Sequence, residues 1–177
     1  AHQLQRVVRY LKRWNDILFS ESENDKPAGI ALLLLAIEKL RPTLASDGGP
    51  DDLLALSNFC DVSIPLFGRI SVRKPTPEYE DVFGKISDSG MEKFISELKN
   101  LRGILKNAIA FPNTHDAAVE LQKVFGADFP DLDEINKSDL RNSLTLDQTS
   151  VEYAAKASAL RKIASGISDP PKPWYER

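Results

Sequence analysis

The sequence is poor in the residues that build most reactive centres. Cys60 is the only cysteine, and His2 and His115 are the only histidines. An intramolecular disulfide and a thiolate-rich zinc site are therefore excluded, and the lone thiol suits a reducing cytosol. No GxGxxG, GxxxxGKS, GxxxxGKT, GxSxG or HExxH motif is present. Phosphate-loop, serine-hydrolase and zinc-protease chemistry thus have no anchor. Long apolar runs are also missing. The longest, Ile30 to Ile37, falls well short of the roughly 20 residues that cross a bilayer, and no segment of this sequence reads as a signal peptide. Nor does one charge sign dominate. The 23 Lys and Arg stand against 26 Asp and Glu for a net charge of -3, without the broad basic footprint of a genomic nucleic-acid binder. These absences predict a soluble, cytoplasmic protein with no membrane association and no strong nucleic-acid binding.

What remains is ordinary globular material: 177 residues, 42% hydrophobic and 28% charged, enough to bury a core without staples. A helical pattern starts almost at Ala1, with no methionine or lead-in, as expected of a piece cut from a longer protein. Leu4, Val7, Val8, Leu11, Trp14 and Leu18 follow the i, i+3, i+4 spacing of an amphipathic helix. Arg6, Arg9, Lys12 and Arg13 fall on its other side.

After the polar loop Ser20 to Lys26, Pro27 sits where a first helical position tolerates its missing N–H. From Ala28 to Leu40 the pattern is apolar all round, which predicts a central helix surrounded by others, stopped by Arg41-Pro42. Acidic Asp51 and Asp52 open a helix carrying Leu53, Leu56 and Phe59. Ile70 and Val72 alternate with polar neighbours, but Pro75 and Pro77 end that segment before a sheet can be built.

Ser89 and Glu92 have capping-box spacing ahead of a long stripe from Met91 to Ala108, and Thr114 is the expected cap of a helix ending at Gly126. Asp128 to Leu146 is weakly periodic. Thr149 and Glu152 repeat the capping-box spacing before an alanine-rich helix to about Ser165. The fold class is all-α: a bundle of about five to seven helices around a buried central one. It forms a single domain over 1–168, and 169–177 is a tail of proline and aromatic residues.

Among candidate sites, His115-Asp116 imitates a metal-binding pair, but a first-turn Asp favoured by the helix dipole explains it better. Cys60 lies in the apolar pattern of its helix without a neighbouring base, as a structural thiol does. Asp131, Asp133 and Glu134 lack the glycine-centred loop of a calcium site. No metal ligand is assigned. The basic face of the first helix is harder to dismiss. If the first two helices pack side by side, Lys12 comes near the helix start after Pro27, where free N–H groups and the small Ala28 and Gly29 admit an anion.

The pairing of VVRYLKRWND with KPAGIALLLLA, followed by RKPTPEYEDVF and DAAVELQKVFGADFP, resembles the C-terminal helical region of bacterial cyclic-oligonucleotide synthases. These nucleotidyltransferases are related to animal cyclic GMP-AMP synthase and to oligoadenylate synthetase. The resemblance is strongest over residues 2–130 and rests on the order of an R-x-L-K-x-W helix, a P-x-G-I-A-L helix start and an FG-x-x-FP ending.

It implies an oligoadenylate-synthetase-like helical domain that closes the acceptor-nucleotide side of a cleft. The parent enzyme would be a Mg-dependent nucleotidyltransferase making a cyclic nucleotide second messenger in antiphage defence. Lys12, at the lysine of the R-x-L-K-x-W helix, is implied to contact acceptor phosphates, with Arg9 and Arg13 as neighbours. Ala28, Gly29 and Ile30 stand where relatives often place a hydroxyl, an amide or an aromatic ring, which leaves backbone N–H donation as their contribution.

The implied partners are an N-terminal nucleotidyltransferase palm and ATP, GTP or other nucleoside triphosphates. The palm's carboxylates would hold Mg²⁺, and no cofactor is assigned to this chain. Its GS motif and paired acids are absent here, so the chain alone is expected to have no catalytic residue and no activity. The competing expectation is a non-enzymatic helical interaction module using Trp174 and Tyr175 as anchors.

Overall fold

Five amphipathic segments become helices: α1 (His2–Leu18), α2 (Gly29–Lys39), α3 (Asp52–Ser63), α4 (Asp88–Ala110) and α5 (Thr114–Phe125). The structure is a computed structural model and describes residues 2–20 and 25–136. The chain divides into two units, Ala1–Leu132 and Asp133–Arg177, and the five helices belong to the first. Residues 132–136 are helical as well. The expected helix after Thr149, the boundary at 168, and Trp174 and Tyr175 all lie outside the described residues.

Among the described residues there is no strand, only the isolated bridges Leu44–Pro50 and Arg73–Asp81. Ile70 and Val72 are buried beside the second bridge without forming a sheet. No helix of the described residues is long and apolar enough to cross a membrane.

The apolar periodicity becomes burial directly. Val7, Val8, Leu11 and Trp14 of α1 and the α4 stripe of Phe94, Leu98, Leu101 and Leu105 are all buried in one core. Trp14 and Phe83 both pack on Phe94, at centroid distances of 5.7 and 5.9 Å. Each such side chain contributes about 1.5–3 kcal/mol relative to exposure. α4 packs against α3 and α5, while α1 touches α2, α3 and α5.

The bundle is therefore as the sequence predicts, but the described helices do not enclose α2 on all sides. Among the described helices it meets only α1 and α3. Ala31, Leu32, Leu35 and Ala36 are buried, whereas Ile30 and Ile37 are 51% and 55% exposed. An all-round apolar pattern predicts burial only where each face finds a neighbour, and one face of α2 finds none among the described helices.

The caps correct the sequence reading by one or two residues. Asp51 accepts from the Leu54 N–H at 2.8 Å and caps α3. α4 is capped by Ser87 rather than Ser89, its Oγ accepting from the Gly90 N–H at 3.0 Å. α5 is capped by Asn113 rather than Thr114, with Asn113 Oδ1 accepting from the Asp116 N–H at 2.7 Å. Pro27 precedes the α2 cap, Ala28, instead of occupying the first helical position. Gly126 ends α5 at φ +86°, backbone geometry that side chains oppose.

Asp25, just before α2, accepts from the Ser87 N–H and Oγ–H at 3.3 and 2.8 Å. This carboxylate sits at the positive end of α4. It comes so close that a methyl group at Gly90 would stand 2.5 Å from Asp25 Oδ1.

Candidate anion-binding cleft

The four α1 cations divide into two kinds. Arg6 is bound in a two-pronged pair with Asp52, whose Oδ1 accepts from Nη2 at 2.9 Å while Oδ2 accepts from Nε. The Arg6 hydrogen bond holds the Asp52 carboxyl below the usual carboxylate range, against a smaller opposing effect of burial. Arg13 donates from Nε to the Phe125 carbonyl at 2.6 Å and lies over the Phe129 ring at 5.4 Å. It thereby satisfies the end of α5, where a cation is favoured. Arg9 and Lys12 are exposed and have no carboxylate partner among the described residues.

Lys12 is also the cation that reaches α2. Its stem crosses the helix start so closely that a methyl group at Gly29 would stand 3.3 Å from Cε and 3.7 Å from Nζ. The α2 cap, Ala28, has no side-chain acceptor to offer. Its carbonyl accepts from the Ala31 and Leu32 N–H groups at 2.8 and 3.3 Å. The N–H groups of Gly29 and Ile30 are left without an acceptor among the described residues. A cation at this end of a helix is the reverse of the arrangement that stabilises helices. An anion placed there would relieve both the ammonium and the open donors.

The surrounding cleft measures about 440 Å³ and is lined by Lys12, Asn15, Asp16, Lys26, Pro27, Ala28 and Gly29. Lys26 Nζ pairs with Asp16 Oδ1 at 2.9 Å. Asn15 is buried, and its Nδ2 donates to the Pro27 carbonyl at 3.0 Å, fixing the chain just before α2. Asn15 Oδ1 is sealed from solvent and has no hydrogen-bond partner among the described residues. Turning the amide over would set two oxygens against each other, so the observed orientation is the better one despite that unsatisfied acceptor.

The sequence-predicted residues thus fall in three places. Lys12, Ala28 and Gly29 come together in the cleft. Arg9 lines the adjoining groove with Lys12, Arg13, Asp16 and Ile17. Ile30 is not part of the cleft wall; it has an open N–H and an exposed side chain. Sequence reasoning missed Lys26, Asn15 and Asp16. The signal for the last two was spacing, since they follow Lys12 by three and four residues on α1.

The other candidates resolve as structure. Cys60 is fully buried in α3, and burial pushes its thiol up to about 12, so the thiolate needed for nucleophilic chemistry does not form near neutral pH. Asp116 Oδ2 accepts from Asn113 Nδ2 at 2.8 Å, making Asp116 part of the α5 cap. Among the described residues, no three His, Cys, Asp or Glu side chains come together as a metal site would require.

No protein-family model matches this chain, and comparison with curated protein sequences gives no match.

Proposed function

We propose that this chain is the helical nucleotide-pocket half of a cyclic-oligonucleotide second-messenger synthase of bacterial antiphage defence, lining the acceptor-nucleotide side of the cleft. The observation that carries the proposal is the Lys12 side chain lying across the uncapped start of α2. Lys12 supplies a point charge to an acceptor phosphate. The Gly29 and Ile30 N–H groups donate to the same group, and Arg9 adds to the local potential from the neighbouring groove. Ala28 and Gly29 offer no base-stacking surface, so this wall holds phosphate and leaves base choice to the other half.

Mg²⁺ does not fit the cleft residues. It takes oxygen ligands in octahedral array, whereas this cleft presents two ammonium groups, backbone N–H donors and one carboxylate already paired with Lys26. The metal ions, the nucleoside triphosphate donor and the catalytic carboxylates belong in this reading to a palm domain. The exposed Ile30 and Ile37 on α2 give that partner an apolar face beside the cleft. The chain alone is then catalytically silent.

Titration of the chain with ATP and with GTP tests the proposal. Binding is expected to be weak and salt-sensitive, because an exposed site is screened once the Debye length falls from about 10 Å at 0.1 M to about 3 Å at 1 M. Lys12→Ala should abolish it without lowering Tm. Binding that survives in Lys12→Ala would contradict the assignment.

A second reading, a non-enzymatic interaction module, is favoured by one observation. Leu66 and Phe67, after α3, are each 93% exposed. Under that reading Leu66→Ser with Phe67→Ser abolishes capture of a protein partner and nucleotide has no effect.

A further inference from the structure

We infer that Asp16 is an internal competitor for the anion position and that Lys26 holds it away from Lys12; the inference rests on the anion-binding reading of the cleft. Lys12 and Asp16 are four residues apart on α1, a spacing that makes side chains neighbours on a helix surface. Both are exposed, and both line the cleft and the adjoining groove. An ion pair between them is the ordinary expectation, yet Asp16 Oδ1 sits 2.9 Å from Lys26 Nζ, and Lys12 has no carboxylate partner among the described residues.

Two features explain the choice. A lysine that precedes its acid by four residues is the less favourable orientation for a helical pair. Lys26, in contrast, is held in place from both sides: Asp25 is bonded to Ser87, and the Pro27 carbonyl to Asn15. Its ammonium is therefore presented to Asp16 by a fixed segment of chain.

The consequence is a cleft with two arrangements. With Asp16 on Lys26, the Lys12 ammonium and the open α2 donors are available to a phosphate. With Asp16 on Lys12, a carboxylate neutralises the phosphate's own cation and the site excludes its ligand. Lys26 is then a positioning residue, acting on the ligand through Asp16 rather than by touching it. Anything that draws Lys26 away, such as a competing carboxylate on a partner, would lower phosphate affinity without entering the cleft.

The test is a double-mutant cycle with inorganic pyrophosphate as the probe, using the wild-type chain, Asp16→Asn, Lys26→Ala and the double variant, together with the structure of Lys26→Ala. Asp16→Asn should tighten binding and Lys26→Ala should weaken it, each by about two- to fivefold, the range of exposed ion pairs. In the Asp16→Asn background, Lys26→Ala should have almost no effect, and in the structure of Lys26→Ala the Asp16 carboxylate should lie on the Lys12 ammonium.

An equal loss from Lys26→Ala in both backgrounds would overturn the inference, because Lys26 would then contact the anion itself. If Asp16 moves onto Lys12 but pyrophosphate binds none of the four proteins, the competition stands and the anion-binding reading falls. If pyrophosphate binds and Asp16 stays away from Lys12 in Lys26→Ala, the reading survives and the competition is wrong. Absence of both removes both.

Discussion

Arg6 and Arg13 have the same formal charge as Arg9 and Lys12 and share their helix, yet the two pairs do different things. The first pair is committed: Arg6 to Asp52 and Arg13 to the end of α5. The second has no carboxylate partner among the described residues, and Lys12 lies across a helix start that offers further donors. What a cation can do for a ligand thus depends on whether the fold has already given it an acceptor. A count of basic residues on α1 would have assigned all four to one surface, whereas the contacts leave two.

Several substitutions break or sharpen that contrast. The largest effect is expected from Gly90→Ala, which disturbs the loop that leads into the α2 start beside Lys12. Its methyl group would stand 2.5 Å from the Asp25 carboxylate, and the contacting atoms belong to a side chain already tied to Ser87. A loss of about 1–3 kcal/mol is expected in urea unfolding, typical of overpacking. A Tm equal to that of the wild type would mean that the 25–28 segment is not held as described.

Asp52→Asn comes next and isolates the committed pair. The Arg6 bond lowers the folded-state titration of Asp52, so its contribution is fully present above the unfolded carboxylate value of about 3.9 and is lost as pH falls through the lowered folded value. The variant should be less stable at neutral pH and should lose less on acidification than the wild type. Urea melts at pH 6 and at pH 3 measure both, and parallel acid losses in the two proteins would show that the pair is not a stabilising one. Nucleotide affinity should be unchanged.

The smallest effect on stability, and the most selective on function, is expected from Gly29→Ala. Alanine is the better helix former, so Tm should stay level or rise. The new methyl group would press on Lys12 Cε at 3.3 Å and shift the ammonium from the α2 start, for a few-fold loss in ATP affinity. Affinity retained with Tm raised would detach Gly29 from the site.

The helices were legible because a period of 3.6 survives any tertiary arrangement. Val7, Leu11 and Trp14 are buried as their spacing requires. The caps were less legible. The stretches Ser87-Asp88-Ser89 and Asn113-Thr114 each offer adjacent capping residues, and for α4 the selected serine is also the one bonded to Asp25, 62 residues away. Hydrophobicity alone could not show which face of α2 lacks a neighbour. The meeting of Lys12 with Gly29 was foreseeable once α1 and α2 were placed side by side. The place of Lys26 was not, because it depends on the path of the loop before α2, which Asp25 and the Pro27 carbonyl fix through distant partners.

The central claim is that one anion is shared by the Lys12 ammonium and the open N–H groups of Gly29 and Ile30. The most direct measurement is the amide NMR spectrum of the chain during titration with ATP at low salt, repeated with Lys12→Ala. Saturable shifts of the Gly29 and Ile30 amide resonances that disappear in Lys12→Ala are expected. Resonances of those two amides that stay still while ATP binds elsewhere would contradict it.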